Sequence, residues 1–174
     1  PNSRVVFVGP CAAKKLEASR KSVRSEVDFV LTFEEIGAMF EAKGIDFASL
    51  KPDEADPFTQ ASSDGRGFAV SGGVAKAVVN CIKAKEPERE VLVESAEGLA
   101  NCKKMLKLAK SGKYDGYLLE GMACPGGCVA GAGTLLPITR ATTAVKKYTN
   151  SSDKLNANDS KYKDYLERLI EEYK

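Results

Sequence analysis

Four short apolar runs, each handing over to a helical pattern, constrain the fold of this 174-residue chain more than any other feature. Val5-Val-Phe-Val8 is continuously apolar, as a strand covered on both faces would be. Gly9-Pro10 ends it, and a helix is expected from about Ala12 to Lys21. Val27-Asp-Phe-Val-Leu31 is the second run. Thr32 follows, with Glu35 three positions on, the signature of a capping box. Phe33, Ile36 and Phe40 then share one helical face, and Gly44 closes the helix. A helix opened by Ser71-Gly72-Gly73 carries Val74, Val78 and Ile82 at steps of four. The third strand is expected over Glu90–Glu94. The helix after it, from about Gly98 to Lys110, sets Leu99, Cys102, Leu106 and Ala109 on one face, with Gly112 as its cap. Gly116-Tyr-Leu-Leu119 is the last strand. This alternation predicts an α/β fold with a parallel sheet of about four strands flanked by helices and joined by right-handed crossovers. Ligands of such sheets gather beyond the carboxyl ends of the strands.

Residues 48–70 read as a long irregular stretch containing Pro52, Pro57, Asp64-Gly65 and Gly67, and loops of that length are often functional. The pattern turns helical again after Pro137. Residues 1–149 form one unit, and 150–174 a polar linker followed by an amphipathic helix bearing Tyr162, Tyr165, Leu166, Leu169, Ile170 and Tyr173.

The glycine-rich run Glu120-Gly-Met-Ala-Cys-Pro-Gly-Gly-Cys-Val-Ala-Gly-Ala-Gly133 follows the last strand, and Cys11 follows the first. In a parallel sheet both loops leave at the same edge, so Cys11, Cys124 and Cys128 are expected to meet. The chain has no histidine, which removes Cys–His and Ser–His nucleophilic schemes and every His-ligated zinc site. Thiolates suit zinc, copper(I) or iron–sulfur clusters. Zinc knuckles favour paired Cys-x-x-Cys, whereas a 4Fe–4S cubane tolerates scattered ligands. A cubane takes four, and three are well placed here. N–H groups of Gly126, Gly127, Gly131 and Gly133 are candidate donors to its sulfurs, and Lys14 a cation beside it. Cys81 and Cys102 lie on helices and read as packing residues. The N-terminus at Ser71-Gly72-Gly73 suits either an anion or a plain cap. Charges nearly balance, 26 basic against 24 acidic, so no nucleic-acid partner is indicated. The apolar runs are strand-length, so no membrane span is expected. Five cysteines fit a reducing, cytoplasmic setting better than a disulfide framework.

Gly9-Pro-Cys-Ala-Ala-Lys-Lys-Leu-Glu17 resembles the second signature of iron-only (di-iron) hydrogenases, Met-Pro-Cys-x-x-Lys-x-x-Glu. Glu120-Gly-Met-Ala-Cys-Pro-Gly-Gly-Cys128 resembles the third, Glu-x-Met-x-Cys-x-x-Gly-Cys. Phe68-Ala-Val-Ser-Gly-Gly-Val74 is similar to the segment between them, and Gly98–Lys104 to the family's helix before the last strand. The resemblance implies that residues 1–149 are the second lobe of a two-lobed catalytic domain, cut from a longer protein. It implies a 4Fe–4S cubane joined through a cysteine sulfur to a di-iron subcluster carrying CO and cyanide. Cys11, Cys124 and Cys128 would ligate the cubane, with Cys128 as the bridge. Lys14 would bond a cyanide, while Met122 and Phe68 would line the di-iron pocket. The implied reaction interconverts protons plus electrons with dihydrogen. A ferredoxin-like protein would exchange the electrons, and the N-terminal lobe of the same protein would be the other partner.

The chain departs from that pattern in three ways. The first signature, Thr-Ser-Cys-Cys-Pro, which would supply the fourth ligand and a proton-relay cysteine, is absent. Gly9 replaces the methionine before Pro10. Ala130 and Ala132 replace two glycines, and Thr134-Leu135 the usual Gln-Pro. The leading expectation is the hydrogenase lobe, inactive and cluster-free when isolated, yet folded. The alternatives are a hydrogen- or redox-sensing homologue without turnover, and a simple 4Fe–4S binding or assembly module.

Overall fold

The computed structural model describes residues 3–20, 22–23, 26–51 and 61–172. Pro52, Pro57, Lys21, Tyr173 and the side chains of Leu166, Leu169 and Ile170 lie outside the described residues. The chain is α/β with parallel strands, but the strands form two pairs instead of one sheet. β1 (Val6–Val8) pairs with β2 (Phe29–Leu31) from Val6 opposite Phe29 to Val8 opposite Leu31. β3 (Val93–Glu97) pairs with β4 (Leu118–Met122) from Val93 opposite Leu118 to Glu97 opposite Met122. The third strand thus starts three residues later than the expected Glu90–Glu94. Pairing with β4 fixes its position, and its buried positions then alternate, with Glu94 and Ala96 inward.

The helices are α1 (Ala13–Ser19), α2 (Phe33–Ala42), α3 (Ser63–Arg66), α4 (Gly73–Lys85), α5 (Leu99–Lys110), α6 (Ile138–Asn150) and α7 (Lys163–Glu172). The expected capping box at α2 is present. The Thr32 hydroxyl accepts from the Glu35 N–H at 3.2 Å, and the Glu35 carboxylate accepts from the Thr32 N–H at 2.8 Å. Gly44, at φ +65°, follows the helix in the left-handed conformation that glycine adopts without steric cost. The expected irregular stretch holds more order than its composition indicates. The Ser62 hydroxyl caps α3, and Asp64, read as a turn residue, is buried on that helix and accepts from the Asn80 side chain at 2.9 Å. The polar segment after α6 is similarly built, with a 3-10 turn at Ala157–Asp159 closed by an Asn156–Asp159 capping box.

Few apolar side chains are fully covered. Ala75, Ala77, Met105 and Val129 are the buried ones among the described residues. On α5 the inward residue is Met105, flanked by Cys102 and Ala109, while Leu99 and Leu106 are 75% and 59% exposed. The β1–β2 pair is likewise open. α1 packs on β2, but Val6, Val8 and Phe29 remain half exposed, against the expectation of a strand covered on both faces. Apolar surface stays open elsewhere too. Val8, Phe33, Ile36, Phe40, Phe47 and Leu135 line a groove of about 440 Å³ with no polar lining.

Candidate cluster-binding site

The glycine-rich run begins where β4 ends, and its backbone is wedged against three other segments. Gly131 lies so close to the Pro10 carbonyl that a Cβ there would collide with it, and the Gly133 N–H donates to the same carbonyl at 2.9 Å. A Cβ on Gly133 would stand 2.5 Å from Thr32 Cβ. Gly127, at φ +96°, has no room for a Cβ either, because Ser71 N would be 2.5 Å away. These contacts bring the loop after the last strand onto the loop after the first. Glycine is retained where the chains touch. Alanine stands at 130 and 132, and Ala132 is exposed. Substituting these two positions therefore does not disturb the close approach.

The approach carries the thiols with it. Cys11 and Cys124 act electrostatically on Cys128. Although Cys128 reaches solvent, the protein packed around its thiol desolvates it and pushes its pKa above the ordinary value; Cys11 and then Cys124 add to the rise. Lys14 acts on Cys128 in the opposite sense. The Lys14 ammonium is held by both oxygens of Glu17, the last residue of the Gly9–Glu17 segment, at 2.8 Å. Lys15 serves the scaffold, with bonds to the Val30 carbonyl at 3.0 Å and to Glu35 at 2.8 Å, and this ion pair holds the Glu35 carboxyl below its usual range. Among the described residues, no three His, Cys, Asp or Glu side chains close on one point as a single metal ion requires. Cys11 and Cys124 lie within electrostatic reach of Cys128, and thiolates are the donor type that iron–sulfur clusters take.

Other expected site residues fall differently. Met122 ends β4, two residues before Cys124, and its carbonyl accepts from Gly98 N–H at 2.8 Å. Phe68 lines a cavity of about 400 Å³ with Ala77, Val78, Cys81 and Ile82. The glycine amides proposed as donors to cluster sulfurs are already engaged. Gly126 N–H donates to Glu97 at 2.9 Å, Gly127 to Cys124 carbonyl, Gly131 to Cys128 carbonyl, and Gly133 to Pro10 carbonyl. A tight turn satisfies its own donors first, so these glycines serve close approach and left-handed backbone instead. Cys102 packs as expected, its thiol donating to the Ala96 carbonyl at 3.4 Å.

Two acids carry roles that the residue patterns did not disclose. Glu120 is buried, and its carboxylate accepts from the Gly72 and Ala75 N–H groups at the start of α4. The helix N-terminus that suited an anion is thus filled by the protein's own carboxylate. Glu97 accepts from Gly126 N–H and from the Ser71 side chain, and these bonds hold its carboxyl below the usual range. Glu120 had a signal in the motif that begins with it; Glu97 stands outside every motif.

Residues 1–132 match the family model described as "Iron only hydrogenase large subunit, C-terminal domain". The chain is similar to the periplasmic Fe hydrogenase large subunit of Nitratidesulfovibrio vulgaris, 31% identical over 74% of this chain and 38% of that protein. It is also similar to cytosolic iron-sulfur assembly component 3 of Mus musculus, 29% identical over 75% of this chain and 35% of that protein. A variant of the FeFe-hydrogenase HydA1 from Chlamydomonas reinhardtii shares the fold, with a TM-score of 0.63, 21% identity, and coverage of 98% of this chain and 58% of that one. The chain spans between 27% and 38% of the length of the first curated relatives it matches.

Proposed function

The chain belongs to the family of the iron-only hydrogenase large subunit, C-terminal domain, and from that premise we propose that it supplies three of the four thiolate ligands of a 4Fe–4S cluster. The observation that carries this reading is the seating of Gly131 and Gly133 on Pro10, which brings Cys11 within electrostatic reach of Cys128 while Cys124 approaches from the same loop.

Cys11, Cys124 and Cys128 would bind as thiolates, and the fourth ligand would come from a preceding lobe that also covers the open apolar groove. Lys14, steadied by Glu17, places a cation near Cys128, where it favours the thiolate. When bound, the cubane supplies single-electron transfer, and a di-iron unit attached through Cys128 would supply interconversion of protons and electrons with dihydrogen. A ferredoxin-like protein would exchange the electrons.

A specific observation favours a second reading, cluster binding without hydrogen turnover, as in a sensor or an assembly component. Where the resemblance implies a methionine before Pro10, Gly9 is buried, and a Cβ added there would stand 2.8 Å from the Phe7 ring. That volume belongs to Phe7, so the methionine contact is lost by packing as well as by sequence. The similarity to both a hydrogenase subunit and an assembly component fits either reading.

Anaerobic reconstitution of the full-length protein with iron and sulfide tests the common part. About four irons and four sulfides per chain, falling on Cys124→Ala, are expected; a wild-type protein that takes up no cluster overturns it. Infrared bands of CO and cyanide after maturation separate the two readings. Their presence supports the hydrogenase chemistry, and their absence in a protein that holds the cubane supports the second.

A further inference from the structure

The turn Cys124-Pro-Gly-Gly-Cys128 has to hold two thiols at a fixed separation, yet it contains two residues of left-handed backbone, Gly126 at φ +93° and Gly127 at φ +96°. Such a turn is not rigid by itself, because glycine leaves the widest choice of backbone states. Something outside it has to select one.

Glu97 meets that requirement. Its Oε2 accepts from the Gly126 N–H at 2.9 Å, at the tip of the turn. On the next peptide, the carbonyl of the same residue, Gly126, accepts from Ser71 N–H at 3.1 Å. Glu97 also takes the Ser71 hydroxyl, so one carboxylate ties the turn to the segment leading into α4. The backbone of Glu97 is itself held by strand pairing. It ends β3 opposite Met122, and the next residue, Gly98, donates from its N–H to the Met122 carbonyl at 2.8 Å. The acid and the turn are therefore both anchored at the carboxyl end of the β3–β4 pair, one at each strand end.

Resting on the cluster-binding reading, we propose that Glu97 is a positioning residue for the Cys124–Cys128 turn. It fixes Gly126 so that the two sulfurs are preset for the cluster, and it places an anion on the turn that the cluster must share.

The test uses the full-length protein with Glu97→Ala and Glu97→Gln. The glutamine amide oxygen keeps an acceptor for Gly126 N–H and removes the charge. In the cluster-free protein, amide exchange at Gly126 in Glu97→Ala is expected to run about tenfold faster than in wild type, the loss of one hydrogen bond. Glu97→Gln should stay close to wild type. After anaerobic reconstitution, a chelator should strip Glu97→Ala faster than wild type, while Glu97→Gln keeps its cluster and shows a midpoint potential shifted to more positive values. That shift separates an electrostatic neighbour from a scaffold residue, since a purely structural role would leave the potential of an intact cluster unmoved. Gly126 exchange in Glu97→Ala equal to wild type overturns the inference, as does an unshifted potential in Glu97→Gln. If wild type takes up no cubane while the exchange result holds, the cluster reading fails and the anchoring of the turn by Glu97 stands.

Discussion

At the scale of single residues, partners separate the five cysteines, four of which are half-buried. Cys11, Cys124 and Cys128 interact, whereas the Cys102 thiol bonds to strand carbonyls and Cys81 lines a cavity with Phe68. Cys128→Ala in the full-length protein is expected to abolish di-iron attachment, and Cys81→Ala to leave iron content unchanged by elemental analysis. Equal loss from both would remove the ligand assignment. The raised pKa of Cys128 gives a second check in the metal-free chain. The folded state holds this proton more tightly than the unfolded one, so the stability it contributes is complete below the ordinary thiol pKa. That contribution is lost as pH rises through the raised value. Alkylation of Cys128 should therefore need higher pH than that of a free thiol, and Cys11→Ser should lower the pH required. Glu120 makes a stability prediction. Glu120→Ala removes the acceptor of two N–H groups at the start of α4, at a cost of about 1–2 kcal/mol read as a lower denaturation midpoint. Glu120 stood in view as a motif residue, but its partner at Gly72, 48 positions away, did not.

Elements show why the glycines are placed as they are. Gly131→Ala is expected to force the loop off Pro10 and cost about 1–3 kcal/mol, because the obstruction is backbone that cannot rotate away. Ala132→Gly, at an exposed position, should change stability by well under that amount. Thermal unfolding of the two variants side by side checks the contrast, and equal effects would refute it. Helix boundaries were largely legible, since the Thr32–Glu35 box and Gly44 act within one turn of chain and need no partner. Strand boundaries and helix faces were less so. α5 turns Met105 inward instead of Leu99 and Leu106, because the neighbouring β3–β4 pair decides which side is covered.

At the scale of the whole molecule, the open surface governs behaviour. Exposed Val6, Val8, Phe29 and Phe47 leave the described residues with a small core, and this bears on how tightly the isolated chain, expected to fold without a cluster, packs. The isolated chain is expected to show helical circular dichroism with strong binding of a hydrophobic dye and a broad thermal transition. A sharp, dye-free transition would show that the groove closes on itself. Sequence by itself determined the α/β order and the caps, because strand–helix alternation and local hydrogen bonds are written in adjacent residues; Cys11 approaches the Cys124–Cys128 loop through Gly131 and Gly133 on Pro10, not through one shared sheet edge. Tertiary structure alone decided that the strands divide into two pairs and that Phe7 occupies the space over Gly9. It also decided that the glycine amides serve their own turn and that Glu97 and Glu120 anchor it to α4. Each of those outcomes depends on which distant backbone arrives beside which side chain, and contacts across that separation leave no local pattern to read.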